Sequence, residues 1–428
     1  MTNSSADNVA TPDGQRIFYG WIIVIAATCI YAISAGQVVS FGIFVKPMAK
    51  ELGWSRASLT GAFGLYIFAM SLFSFVSGIL VDRVGPRLLN IVGGLALGLG
   101  FVLSSRIHAP WHFYVSYGLL GGLGFSFLFV SLSSTIPRWF IEKRGLALGI
   151  LFAGGGVGGL IISPLLQSLI DRYDWRVAFL VLAALACCIV LPAALFLKKE
   201  PKEIGLLPLG QDKAPLPKGR KGDGESGPRT TTPGPARDST LGEALKTAPF
   251  WVFAVTIVLS LLGVMMAQVN MVPHATDKGV PAATAAFALG LAAAFNSLGR
   301  LLMGAASDKI GTKRSLCFCL LLAACTLFWL IMVNKPWMMF LFVAPFGFAY
   351  GGLVPQIPRV ISELFGVKSV GSILGLFTSL TALGPALGPV LGGAIFDRTG
   401  GYDLAFLLGG IGIVIAFVLV LFLKNPKA

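Results

Sequence analysis

Arg300 lies in an otherwise apolar stretch, Ala282 to Ala306, with the sequence AATAAFALGLAAAFNSLGRLLMGAA. In a helix it stands eight residues before Asp308, roughly 12 Å inside a bilayer from that end. A guanidinium does not shed its proton, and even a lenient scale puts about 2.5–3.5 kcal/mol on an arginine near a helix centre, so a partner must offset the burial. Asn296 lies one turn earlier on the same face, which aims two polar groups at one point. This pairing reads best as an anion site in a transport pathway. The alternative is a structural arginine capped by carbonyls of neighbouring helices.

The elements that must position this pair are membrane spans. The 428-residue chain is 55% hydrophobic and 12% charged, with a mean hydropathy of +0.81; ordinary soluble domains carry about 25% charged residues. The expected class is therefore an all-α integral membrane protein surrounded by lipid bilayer. The first apolar run, Trp21 to Phe44, is too long for a signal-peptide core and lacks an Ala-x-Ala site, so it reads as a retained span.

Twelve apolar stretches can cross a bilayer, at about 21–44, 58–81, 88–105, 111–136, 146–170, 176–197, 250–273, 282–306, 315–333, 337–361, 370–396 and 402–423. Between the sixth and seventh, Lys198 to Ala248 has the Pro, Gly, Lys and Arg content of a linker. The expected division is a tail over 1–15, a six-helix bundle over 16–197, the linker over 198–248, a second bundle over 249–423 and a tail over 424–428. With twelve spans, both tails and the linker share one side. That side takes 23 of the 33 Lys and Arg, the other side takes nine, and Arg300 alone falls inside a span. Both termini are thus expected in the cytoplasm, and the net charge of +14 requires no nucleic acid. Cys29, Cys187, Cys188, Cys317, Cys319 and Cys325 all fall in apolar runs without a CxxC spacing, which suggests packing rather than disulfides, a metal or a nucleophile.

The two halves repeat. Gly78-x3-Asp82-Arg83-x-Gly85-x-Arg87 returns as Gly304-x3-Asp308-Lys309-x-Gly311-x-Lys313, each position displaced by 226. The same displacement carries Gly145 to Gly371, Gly149 to Gly375 and Asp171-Arg172 to Asp397-Arg398. One offset across three loops indicates internal duplication and two pseudo-symmetric six-helix bundles. Arg300 maps back onto Ser74, so its charge belongs to one half only.

The repeated loop resembles the cytoplasmic signature of the major facilitator superfamily, which implies the major facilitator fold. Its glycine admits close helix approach and its aspartate can accept from helix N-terminal amides. The resemblance makes Asp82, Arg83, Arg87, Asp308 and Lys309 gating residues; simple topogenic charge is the plainer reading. A second stretch, Arg138-Trp139-Phe140-x3-Arg144-Gly145-Leu146-Ala147-x-Gly149 continuing to Ala153-Gly154, is similar to the signature of monocarboxylate transporters and oxalate:formate antiporters, and adds Arg138 and Arg144 to the gate. Phe295-Asn296-x2-Gly299-Arg300 resembles the eighth span of both families, where the arginine pairs with the substrate carboxylate.

Two departures refine the expectation. The oxalate exchangers carry a second buried cation, a lysine in the eleventh span, where this chain has no basic residue between Lys368 and Arg398 and places Thr381 near that position. One guanidinium seats one carboxylate, so a monocarboxylate is expected over oxalate. Animal-type monocarboxylate transporters place a lysine in the first span and an aspartate four residues before the arginine; here those positions read Val39 and Asn296, and none of the 19 acidic residues lies in a span. His274 and Asp277 are the titratable groups expected nearest the pathway, with Arg300 itself able to couple through its ligand. By similarity of position, Val38, Val39, Phe129, Tyr350, Val354 and Thr381 complete the pocket. The run Leu151-Phe-Ala-Gly-Gly-Gly-Val-Gly-Gly has no strand before it and no Lys-Ser/Thr after it, so it reads as helix-crossing glycines rather than a nucleotide cradle.

The sequence therefore predicts a non-enzymatic secondary transporter in a cell (inner) membrane, using no cofactor or metal and carrying a small monocarboxylate such as lactate, pyruvate or acetate with a proton. An oxalate:formate-type exchanger is the alternative within transporters. A non-transporting carboxylate sensor is the alternative outside them, and it would be expected to have longer tails.

Overall fold

The computed structural model describes residues 18–211 and 238–423, so the expected tails and the centre of the linker lie outside the described residues. Among the described residues, eleven helices are long and apolar enough to cross a membrane. A further helix of 29 residues, Ala282–Ile310, completes twelve. In chain order they are α1 (Tyr19–Val39), α2 (Ser58–Val84), α3 (Pro86–Ser104), α4 (Pro110–Trp139), α5 (Arg144–Arg172), α6 (Trp175–Leu195), α7 (Ala248–Asp277), α8 (Ala282–Ile310), α9 (Thr312–Ile331), α10 (Pro336–Phe365), α11 (Val370–Thr399) and α12 (Asp403–Phe422).

Their ends follow local chemistry. The expected first span ran on to Phe44, but α1 stops at Val39; a separate helix, Phe41–Leu52, follows, and at the break Ser40 Oγ donates back to the Gly36 carbonyl at 2.8 Å. Inside α10 the helix loosens around Val354-Pro355, and α11 does so at Ala382, just before Leu383-Gly384-Pro385. Gly85 and Gly311, related by the repeat, open α3 and α9 with φ of +84° and +90°, a backbone region that a side chain would strain.

Two hydrophobic clusters form, one within α1–α6 and the other within α7–α12. The halves meet chiefly along two helix pairs, α5 with α8 and α2 with α11. The duplication makes these pairs mates, since α2 corresponds to α8 and α5 to α11. A Cβ on Gly304 would fall 2.5 Å from the Gly145 carbonyl oxygen and 2.8 Å from the Gly149 Cα. A Cβ on Gly78 would strike the Gly371 carbonyl and come within 3.0 Å of the Gly375 Cα. The repeated glycines are thus the places where each half lays backbone on backbone across the seam.

Four of the six cysteines, Cys29, Cys187, Cys188 and Cys325, stand on the exposed outer surface; only Cys319 is fully buried. Packing inside the bundles therefore accounts for few of them.

Gly304→Val adds bulk where the neighbour is backbone and cannot move aside. We expect it to destabilise the seam by about 1–3 kcal/mol, read as a lower melting midpoint of the purified protein.

Candidate functional site

Between the halves lies a cavity of about 690 Å³. It is lined from α1 by Tyr31, Ala35, Val38 and Val39, and from α5 by residues between Gly155 and Pro164. Phe125 of α4, Gln268 of α7, Gly290 to Arg300 of α8, and Phe346, Gly347 and Tyr350 of α10 complete the wall. All these positions lie away from the end of the bundle where α1 starts and α12 finishes.

Arg300 stands at the deep end of this cavity. Its Nη1 donates to the Phe152 carbonyl of α5, in the other half, at 2.7 Å. Its Nε is buried and has no partner. The carbonyl cap expected of a structural arginine is therefore present on one nitrogen, and the guanidinium keeps donors for a planar anion. Asn296, 9% exposed, presents a buried and unpartnered Nδ2 one turn above. Two small residues of α5 make room: a Cβ on Gly155 would lie 3.3 Å from Arg300 Nη1, and one on Gly156 would overlap the Ser297 hydroxyl. The glycine run of α5 thus brings the polar face of α8 against the opposite half.

The structure gathers Arg300, Asn296, Tyr350, Val38 and Val39 around this cavity. Phe129 sits behind the wall in an aromatic cluster, its ring centroid 6.2 Å from Tyr31, 5.9 Å from Phe152 and 6.0 Å from Phe125. Val354 packs against the core of the α1–α6 half. Thr381 is buried, and its hydroxyl donates to the Phe377 carbonyl at 2.8 Å near the break in α11. His274 does not face the cavity. Its Nε2 lies 3.0 Å from the Leu330 carbonyl of α9, its Nδ1 lies 3.8 Å from Asp403, and its ring meets Phe406 edge-on at 4.9 Å. Asp277 is exposed at the end of α7. Several lining residues are not foreseen from sequence, among them Tyr31, Phe125 and Gln268. Tyr31 and Phe125 looked like ordinary core aromatics, while Gln268 could have been found as a lone amide within Gly263 to Val269.

At the opposite end the two repeated aspartates close the seam. Asp82 ends α2 and accepts from the Gly371 amide at 3.2 Å, the Ser372 amide at 2.7 Å and the Ser372 hydroxyl at 2.6 Å, all in the first turn of α11. Asp308 ends α8 and accepts from the Gly145 and Leu146 amides of α5 at 2.8 and 2.9 Å. Each carboxylate therefore caps a helix N-terminus in the other half, where free amides and the helix dipole favour an anion. Each also pairs with an arginine of its own half, Arg138 with Asp82 and Arg359 with Asp308. Arg144 crosses the seam to Ser362 Oγ at 3.1 Å. Arg83, Arg87 and Lys309, expected in the same gate, are exposed. Arg359 was missed because it is displaced 221 residues from Arg138, not 226.

A family model described as Major Facilitator Superfamily matches residues 27–302 and 253–428. Monocarboxylate transporter 11 of Homo sapiens is 31% identical over 409 residues, which is 93% of this chain and 81% of the relative. Monocarboxylate transporter 13 of Rattus norvegicus is 29% identical over 94% of this chain and 89% of its own length. Among solved structures, the E. coli fucose:proton symporter shares the fold with a TM-score of 0.73 at 13% identity, covering 95% of this chain and all of that one. A proton:xylose symporter bound to 6-bromo-6-deoxy-D-glucose has a TM-score of 0.74 at 14% identity, covering 96% and 97%.

Asp308→Asn keeps the shape of the cap but takes from Arg359 one of its two carboxylate partners, leaving only Glu363, and turns a donor toward one of the two amides. We expect a loss of about 3 kcal/mol or more from the closed seam. The readout is faster alkylation of a cysteine introduced at Ser372, with Asp82→Asn giving a similar increase at Ser362→Cys.

Proposed function

We propose that this chain, which belongs to the major facilitator superfamily and is related to its monocarboxylate transporters, carries a small monocarboxylate such as lactate, pyruvate or acetate across the membrane together with a proton. The carboxylate pairs with Arg300 and Asn296 at the deep end of the cavity. The single observation that carries the reading is Arg300 itself: a permanent cation between the halves, with one nitrogen held by a carbonyl, another unpartnered, and no acidic residue lining the cavity.

Transport follows from the same contacts. An anion moving against the membrane potential costs about 2.3 kcal/mol per charge per 100 mV, which a co-moving proton removes. With a carboxylate docked, the guanidinium no longer carries an uncompensated charge through reorientation. The halves then rock about the α5–α8 and α2–α11 crossings, the Asp82 and Asp308 caps release, and the site opens to the side that holds the termini. The excess of Lys and Arg in the loops and linker on that side supports a cytoplasmic side there, in a cell (inner) membrane.

A second reading is anion exchange. The observation favouring it is again the lack of Asp and Glu from the cavity wall, which leaves the pocket without a carboxylate to carry the proton. Uptake of radiolabelled L-lactate into proteoliposomes under an imposed inward proton gradient separates the two. Symport gives accumulation that a protonophore abolishes; strict dependence on a preloaded internal anion supports exchange.

In the same assay Arg300→Lys keeps the charge and loses the planar fork, and we expect uptake to fall about 10²-fold while the protein remains folded. Unchanged uptake would remove Arg300 from the site. Asn296→Asp places a titratable carboxyl beside the guanidinium, where its anion competes with substrate. Uptake by this variant should therefore decline as pH rises through the new carboxyl's pKa, and a pH profile identical to wild type would put Asn296 outside the pathway.

A further inference from the structure

Of the seven buried side-chain nitrogen and oxygen atoms without a partner among the described residues, three belong to residues lining the cavity between the halves: Arg300 Nε, Asn296 Nδ2 and Gln268 Oε1. The first two are donors on one face of α8, and the carboxylate accounts for them. The third is an acceptor, and it comes from a different helix. Two serine hydroxyls of the wall are already bonded: that of Ser163 pairs with Ser40 Oγ at 2.7 Å, and that of Ser297 donates to the Ala293 carbonyl at 3.3 Å.

Gln268 also stands at a different depth. It lies nine residues from the end of α7 (277 − 268), whereas Asn296 lies fourteen from the start of α8 (296 − 282), and residues 278–281 join those two ends. The difference of five residues sets Gln268 roughly 7 Å nearer the cavity mouth than Asn296. Facing it, α8 presents Gly290, Ala292 and Ala293, which leave space and offer no side-chain hydrogen bond. A carboxylate seated on Arg300 therefore points its chain past a lone amide oxygen.

We infer that Gln268 is a specificity-determining residue whose Oε1 accepts a hydrogen bond from a neutral donor, a hydroxyl or amide N–H, carried on the distal part of a carboxylate substrate. The preferred substrates are then acids hydroxylated or amidated several carbons from the carboxyl group, rather than plain short-chain acids. The inference rests on the carboxylate reading above. An apolar pocket discriminates weakly between chains, but a pocket with an unsatisfied acceptor selects strongly for the ligand that satisfies it.

The test compares uptake of pentanoate, 4-hydroxypentanoate and 4-oxopentanoate into proteoliposomes by wild type, Gln268→Leu and Gln268→Met, with Arg300→Ala as background. The three acids share chain length and differ in whether the distal group donates. We expect kcat/KM for the hydroxy acid to exceed that for pentanoate and the oxo acid by about tenfold or more in wild type. That ratio should collapse toward unity in both Gln268 variants. Gln268→Met keeps an unbranched side chain of similar length, so a folding defect in the leucine variant alone does not decide the outcome. The same ratio in all three proteins, or a wild-type preference for the oxo acid, overturns the assignment of Gln268 while Arg300-dependent uptake stands. Absence of Arg300-dependent uptake of any of the three overturns the carboxylate reading and this inference with it.

Discussion

A guanidinium between two helix bundles, in a cavity whose lining contains no acidic residue, is the constraint around which the rest of the molecule is arranged. It cannot neutralise itself, and the low dielectric enlarges every charge left uncompensated beside it. The chain meets this with one carbonyl, that of Phe152, and with glycines at positions 155 and 156 that let α5 approach the charge. One hydrogen bond to a neutral oxygen is less than a cation with five donors can use. The shortfall is what distinguishes a site from a structural arginine, and the unpartnered Asn296 amide beside it shows the same shortfall in a neutral group.

The seam at the other end is built in the opposite way, from carboxylates that each have several donors. Each of Asp82 and Asp308 accepts from two backbone amides of the opposite half and from an arginine of its own. Such caps hold well when closed, and their amides and carboxylates can be rehydrated when the halves part. The crossings beside them are backbone on backbone, and the long side chains that span the seam there, Arg138 and Arg144, reach only to a carbonyl and a hydroxyl. A seam of short, strong, polar contacts over glycine is suited to opening as a unit, which alternating access demands.

Much of this was legible in the sequence because it is carried by periodicity and by residues with few alternative explanations. Twelve apolar runs, a 226-residue repeat and one intramembrane arginine each have a narrow set of physical causes, and the helices followed; the glycines four apart in α5 and α11 instead cross α1 and α7 within their own halves. What sequence misplaced depended on helix rotation. Phe129, Val354 and Thr381 sit at suitable depths but turn into neighbouring cores or toward their own backbone, while Phe125, one turn from Phe129, faces the cavity. His274 drew attention as a titratable group near a helix end, yet its face of α7 packs against α9 and α12. The repeat also hid as much as it revealed: Arg359 does the work of Arg138 from a position that the 226 offset misses.

The asymmetry of the two halves carries the last step. Gly149 and Gly375 are repeat mates, and each is overlain by the backbone oxygen of the residue that faces it, Arg300 in one half and Ser74 in the other. The backbone places are equivalent, so the frame tolerates either residue. Ser74 turns its hydroxyl onto the Met70 carbonyl at 2.7 Å and is self-contained. Arg300 instead reaches across the seam to the other half's Phe152. Two opposed arginines would need two anions, or one dianion, before the cavity could lose water. A single arginine needs one carboxylate, and the remainder of that ligand is left to the apolar wall and its few neutral polar groups. The duplication thus supplies equivalent seams in both halves, and on the proposed carboxylate reading one unduplicated residue sets the charge that they can carry.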